Sequence, residues 1–220
     1  MLYALSGFVF GLFIPYTARR FAKFMPASFA FALWQIVKPS KNARRILKSP
    51  VYKTYLWRAL LSGLLTAALS YLFYDRFGVE NICVKLAFLW ILLLLAEIDW
   101  RIFLLPDLLT IPLLILGFFA AAWNIGFTIA PDSALGAAAG YFLPSLAALL
   151  LVWKNRDAFG GGDIKLLAAI GAWLGLEGLL YTIALASAGQ LVIALLRRQK
   201  AIAFGPALAF AAIIIAICFF

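Results

Sequence analysis

Residues 86–99 read LAFLWILLLLAEID, an unbroken apolar run that ends on two acids. A strand with one wet face would alternate apolar and polar residues, and this stretch does not alternate. It is read as a helix with apolar surroundings on every side. Similar runs recur along the chain. Of its 220 residues 66% are hydrophobic and 13% charged, with a mean hydropathy of +1.02, whereas soluble domains hold about half apolar and about a quarter charged residues. That composition excludes an ordinary soluble globule, and it excludes disorder, which requires low hydrophobicity. Within lipid only helices or closed barrels satisfy their backbone, and continuous runs favour helices. The expected fold class is all-α, a polytopic membrane helix bundle.

Outward from that run, spans are expected over about 2–17, 58–74, 82–98, 108–126, 134–153, 164–178, 179–196 and 201–220, eight in all. The sixth is the weakest, because the apolar run from Leu166 to Leu176 is short before Glu177 interrupts it. Lys and Arg of short loops collect on the cytoplasmic side. With these spans every Lys and Arg except Arg76 and Lys85 falls on one face. Both termini are then extracytoplasmic, and the sixth segment must cross to keep Arg197, Arg198 and Lys200 with the other cations. The protein is expected to be multi-pass in a bacterial cytoplasmic (inner) membrane, contacting lipid. The net charge of +10 is explained by these loops, and no nucleic-acid partner is expected. No cation precedes the first apolar run, which argues against a cleaved signal peptide.

The only sizeable loop, residues 18–57, is basic. It contains FMPASFAFALWQIV at 24–37, whose length suits a helix lying in the interface. One domain over 1–220 is expected, with 82–220 as its catalytic core.

Cys83 and Cys218 both lie in apolar stretches and cannot build a disulfide framework or a structural zinc site. Histidine is absent, so proton chemistry falls on carboxylates, Lys or Tyr. Of nine carboxylates, Glu97, Asp99, Asp107 and Asp163 converge on the cytoplasmic face, whereas Asp75, Glu80, Asp132 and Glu177 belong to the other. Asp157 sits mid-loop beside Lys154 and Arg156, where a solvated charge suffices. Acids beside spans are costly and by default mark relays, ion paths or catalysis. The bland alternative for Asp107 and Asp163, on position alone, is a helix cap. Glu97 and Asp99 lie two apart and face different ways, so at most one looks inward.

Phe159-Gly160-Gly161-Gly162 precedes Asp163. Three glycines permit an irregular strand or loop at the membrane edge, able to receive an extended peptide or to bring a carboxylate near another helix. A plain hinge is the competing explanation. Two carboxylates a few ångströms apart share a proton, so that one acts as base toward water while the other donates to a carbonyl. That chemistry needs neither metal nor histidine. Asp99 and Asp163 can meet only through tertiary packing.

Ala96-Glu97-Ile98-Asp99, then Pro106-Asp107-Leu108-Leu109-Thr110, then Gly160-Gly161-Gly162-Asp163-Ile164-Lys165-Leu166, with the later Phe204-Gly205-Pro206-Ala207, closely resembles the type IV prepilin peptidases over roughly residues 84–215. The resemblance implies a membrane aspartic endopeptidase that removes the basic leader of prepilins or type II secretion pseudopilins at the cytoplasmic face. By motif position it makes Asp99 and Asp163 the catalytic pair. It makes Gly160, Gly162, Pro106, Asp107 and Lys165 supporting motif members, Asp107 and Lys165 in a structural or substrate-orienting role. Many members carry a four-cysteine metal-binding loop after the first span and methylate the new N-terminus. Here that loop has no cysteine, so neither zinc nor another cofactor is expected, and N-methylation with S-adenosylmethionine is in doubt. Two other classes stand beside the peptidase: a proton- or ion-coupled transporter using the same acids, and a catalytically silent membrane assembly factor.

Overall fold

A computed structural model of the chain describes residues 1–24, 50–152, 160–197 and 203–220. Among them every regular element is a helix: α1 (Leu2–Phe24), α2 (Pro50–Phe77), α3 (Ile82–Ile102), α4 (Asp107–Ala122), α5 (Ala130–Val152), α6 (Gly161–Arg197) and α7 (Gly205–Phe219). Each expected span falls on one of them, with shifted ends. α1 runs on to Phe24 and α2 begins at Pro50, so both helices extend into the stretch expected as the 18–57 loop. The helix expected over 201–220 begins only at Gly205, where Pro206 suits a first helical turn. Beyond Phe24 the interfacial segment expected at 24–37, and the loop around Asp157, lie outside the described residues.

Among the described residues three helical stretches, Thr54–Phe77, Ala130–Leu150 and Gly161–Leu196, are long and apolar enough to cross a membrane, and Asp107–Ala122 and Gly205–Phe219 are shorter apolar helices. α3, which holds the apolar run at 86–99, carries Lys85, Glu97, Asp99 and Arg101 at its two ends.

The residues group into two compact units, Met1–Gly78 and Val79–Phe220. In the first, α1 and α2 form an antiparallel pair. Tyr3 stacks on Tyr74 at 5.2 Å, and Ser62 donates to the Gly11 carbonyl at 2.7 Å. Gly7 and Gly11 leave space for Ser70 and Thr66, which small residues at such a crossing permit.

The second unit is built around α6. The sequence predicts two spans here, 164–178 and 179–196, and the structure joins them without a loop. Gly175 has φ 69° and ψ −174°, a conformation essentially reserved for glycine. A straight helix would carry Gln190 about 40 Å from Asp163. Instead Gln190 donates to the Ala203 carbonyl at 3.3 Å, and Gly205, two residues further, donates to Asp99 at 2.9 Å. Asp163 in turn feels the charge of Asp99. The chain therefore doubles back at Gly175, and both halves of α6 reach the same end of the unit. Replacing Gly175 by alanine is expected to cost about 1–3 kcal/mol, read as a lower melting temperature in detergent.

Neighbouring helices dock on the first half of α6. From α5, Ser133 donates to the Ala172 carbonyl at 2.6 Å, and Gly136 and Gly140 lie against the backbone of Gly171 and Leu167. From α4, the Leu113 carbonyl accepts from the Trp173 indole at 2.8 Å. Trp173 meets Phe88 of α3 with ring centroids 4.9 Å apart. Tyr181 and Phe219 stack at 4.7 Å, which aligns α7 antiparallel to the second half. The two ends of the unit thus differ: an aromatic cluster packs toward one, beside Asp132, and Asp99, Asp107 and Asp163 lie at the other.

Candidate active site

Asp99 occupies the last turn of α3 and is 5% exposed. The helix stops just beyond it. Phe103 takes a left-handed conformation (φ 53°) and returns its amide to the Asp99 carbonyl at 2.9 Å. The side chain meets the start of α7, where the Gly205 amide donates to Oδ2 at 2.9 Å. The amide ends of a helix favour a carboxylate. A Cβ on residue 205 would lie 2.6 Å from that oxygen, so the approach requires glycine.

Asp163 lies in the first turn of α6, half-buried, its own amide donating to the Gly160 carbonyl at 3.0 Å. It sits close enough to Asp99 to feel its charge. What brings it there is Gly162: a Cβ at that position would lie 2.8 Å from the Leu105 Cβ, in the connection that follows Asp99. The glycine run thus works by lacking side chains. The expected irregular strand or loop is not what forms, because Gly161 and Gly162 are already helical and none of Gly160, Gly161 and Gly162 has a positive φ. The competing hinge has no more support. Close packing against Leu105 is satisfied without an unusual backbone.

Pro106, extended at φ −72° and ψ 130°, opens α4, and its carbonyl accepts from the Leu109 and Thr110 amides. That places Asp107 in the first turn, where an acid complements the helix dipole. Its Oδ2 receives the Lys165 ammonium at 2.6 Å, tying the start of α4 to the start of α6 two residues after Asp163. Gly160 lies beside the Asp163 carboxylate, with 3.5 Å between its would-be Cβ and Oδ2. All the sequence-derived positions therefore fall at one end of this unit.

The remaining acids sort as spacing suggests. Glu97 turns away from Asp99 and pairs with Arg101 at 2.6 Å. Asp132 lies beside Gly175, at the aromatic end. Among the described residues no three His, Cys, Asp or Glu side chains are grouped as a metal ion would need.

Sequence reasoning named Asp99 but not its donor. Gly205 appeared only as part of the Phe204-Gly205-Pro206-Ala207 motif. The available signal was a glycine directly before a proline at the head of the last apolar run, a helix start with a bare amide. Leu105 gave no signal.

A profile of the type IV leader peptidase family matches residues 86–220, which includes every residue of this cluster. Three curated relatives carry the name prepilin leader peptidase/N-methyltransferase. The Dichelobacter nodosus protein is 40% identical over 159 residues, covering 70% of this chain and 55% of its own length. The Aeromonas hydrophila protein is 35% identical over 174 residues, covering 74% and 58%. The Klebsiella pneumoniae protein is 38% identical over 150 residues, covering 67% and 63%. The chain thus spans little more than half the length of such relatives. No solved structure matches it significantly.

Proposed function

The chain belongs to the type IV leader peptidase family, and from that membership we propose that it is an aspartic endopeptidase that cuts the leader from prepilins or type II secretion pseudopilins. Asp99 and Asp163 form the catalytic pair, sharing one proton. The unprotonated carboxylate takes a proton from water as the oxygen attacks the scissile carbonyl carbon, and the other carboxyl donates its proton to the carbonyl oxygen. Collapse of the tetrahedral adduct returns a proton to the departing amine, and both products leave with the pair restored. What supports this reading is that the end of α3 bearing Asp99 and the start of α6 bearing Asp163, remote in sequence, lie side by side, a Cβ at Gly162 coming within 2.8 Å of Leu105 in the connection that follows α3.

In this reading the eight expected segments cross the inner membrane with both termini outside, α6 counting as two short crossings. The carboxylate end of the second unit then faces the cytoplasm, where the junction between a basic leader and an apolar helix would present itself. Gly160, Gly162 and Pro106 shape the approach of the two acids. The methyltransferase part of the relatives' names is not carried over, since the 18–57 loop has no cysteine.

The test is incubation of the purified full chain, in detergent or vesicles, with a prepilin, and identification of the new N-terminus by mass spectrometry. A single cut at the leader junction is expected, and failure to cut any prepilin or pseudopilin offered overturns the reading.

Lys165 and Asp107 serve in this scheme as a tether beside Asp163. Their side chains are 39% and 55% exposed, and exposed pairs are worth about 0–1 kcal/mol. Lys165→Met is therefore expected to leave the melting temperature nearly unchanged while slowing cleavage several-fold. Added salt should bring the unaltered protein toward the variant's rate, because such a pair is screened. Equal rates for the two proteins at low salt would remove the tether.

A further inference from the structure

The returning half of α6 is almost wholly apolar, yet it carries the primary amide of Gln190, half-buried among helices. A buried amide is costly unless paired. The Gln190 Nε2 donates to the Ala203 carbonyl at 3.3 Å. Ala203 is itself buried, and two residues later the Gly205 amide donates to Asp99. Residues 203–205 are therefore held between a side chain of α6 and a carboxylate of α3.

The fit on the Asp99 side has little slack. A Cβ at Gly205 would lie 2.6 Å from Oδ2, so the glycine backbone rests directly on the carboxylate. Sliding this segment outward breaks the hydrogen bond from the Gly205 amide to Asp99, and sliding it inward presses on the side chain. The helix behind it begins at once, with the Leu208 amide on the Phe204 carbonyl at 3.0 Å, so a shift of Ala203 is passed to the first turn of α7.

We propose that Gln190 is a positioning residue that, through the Ala203 carbonyl, sets where the Gly205 amide meets Asp99 and so fixes the orientation of that carboxylate. This rests on the reading of Asp99 as catalytic. Gln190 does not touch substrate in this scheme. It acts on the reacting geometry, where a misplacement of about 1 Å can cost about a hundredfold in rate.

The test compares the full chain with Gln190→Met, which keeps the length of the side chain and removes its donors. Ser187→Ala, on an exposed position of the same helix, is the control. For Gln190→Met, kcat is expected to fall about tenfold or more with KM held within about twofold and the melting temperature unchanged. Ser187→Ala should match the parent. Independently of activity, hydrogen exchange at Gly205 should quicken at least about fivefold in Gln190→Met while amides further along α7 keep their rates. Parental kcat and parental Gly205 exchange would overturn the proposal, as would a parallel loss of kcat, KM and melting temperature. If the parent cleaves but Asp99→Asn cleaves equally well, the assignment of Asp99 fails first and this inference falls with it.

Discussion

Asp99→Asn and Asp163→Asn are each expected to slow leader cleavage by about a hundredfold to about 10⁴-fold, and to leave the chain as stable as before or more so. The reason for the first effect is that an amide cannot accept the proton water must lose, nor deliver one to the carbonyl oxygen. The reason for the second lies in what each carboxylate meets. Asp99 accepts the Gly205 amide through Oδ2, and an asparagine carbonyl oxygen at the same place accepts it equally. Asp99 is buried and Asp163 half-buried, so replacing either with a neutral amide lowers the cost of holding a charge out of water. Residues kept for chemistry commonly cost stability in this way. Structural acids behave oppositely, since removing one partner of a needed pair destabilises. Cleavage assayed on membranes with equal amounts of each protein, beside melting in detergent, separates the two. Full activity in either variant would remove that residue from the mechanism.

The double dissociation also distinguishes the peptidase from a transporter that uses the same acids. A relay for ions would need polar groups through the depth of the bilayer. In the second unit Phe88, Phe127, Trp173 and Phe220 cluster away from Asp99, toward the end that also holds Asp132. That apolar cluster offers no polar path, which suits a reaction at one membrane face.

Much of this arrangement could be read from the sequence, and the parts that could not have physical causes. The run at 86–99 announced a helix because its apolar residues are continuous, and its closing acids stood out because so few charges lie near it. Pro106 and Asp107 announced the start of α4, since proline fixes its own backbone angle and an acid suits a first turn. The turnback at Gly175 was less legible. Sequence placed a boundary near 178 and 179, where Glu177 interrupts the apolar run, whereas the chain turns three residues earlier. Polarity marks the edge of a hydrophobic run, but a reversal is placed by whichever residue can adopt a positive φ against its neighbours. The glycines at 160–162 are ambiguous in sequence for a related reason. Glycine permits both unusual backbone and close packing, and only coordinates tell which freedom is used. The meeting of Gly205 with Asp99 is a long-range contact between helices, invisible to any local pattern.

Gly171→Val is expected to destabilise the second unit by more than about 3 kcal/mol and to abolish cleavage without touching a catalytic group. A Cβ at Gly171 would strike the backbone of Gly136 and Ala137 on α5, and a Cβ at Gly136 would strike Gly171 and Gly175 in return. Backbone cannot rotate aside as a side chain can, so the two helices must separate. Separation also strains the next two residues: the Ala172 carbonyl holds Ser133 at 2.6 Å, and the Trp173 indole holds Leu113 at 2.8 Å. Overpacking costs about 1–3 kcal/mol, and each lost buried bond about 1 kcal/mol more. Gly189→Val supplies the contrast on the same helix, because nothing lies within 4 Å of a Cβ there. It is expected to leave melting and cleavage unchanged. Should Gly171→Val prove as stable as Gly189→Val, close backbone packing of α5 on α6 would not be what holds this unit. Asp163 lies two turns upstream on the displaced helix, so loss of activity should track loss of packing. Gly171→Ala, with a smaller intrusion, should fall between the parent and valine on both measurements.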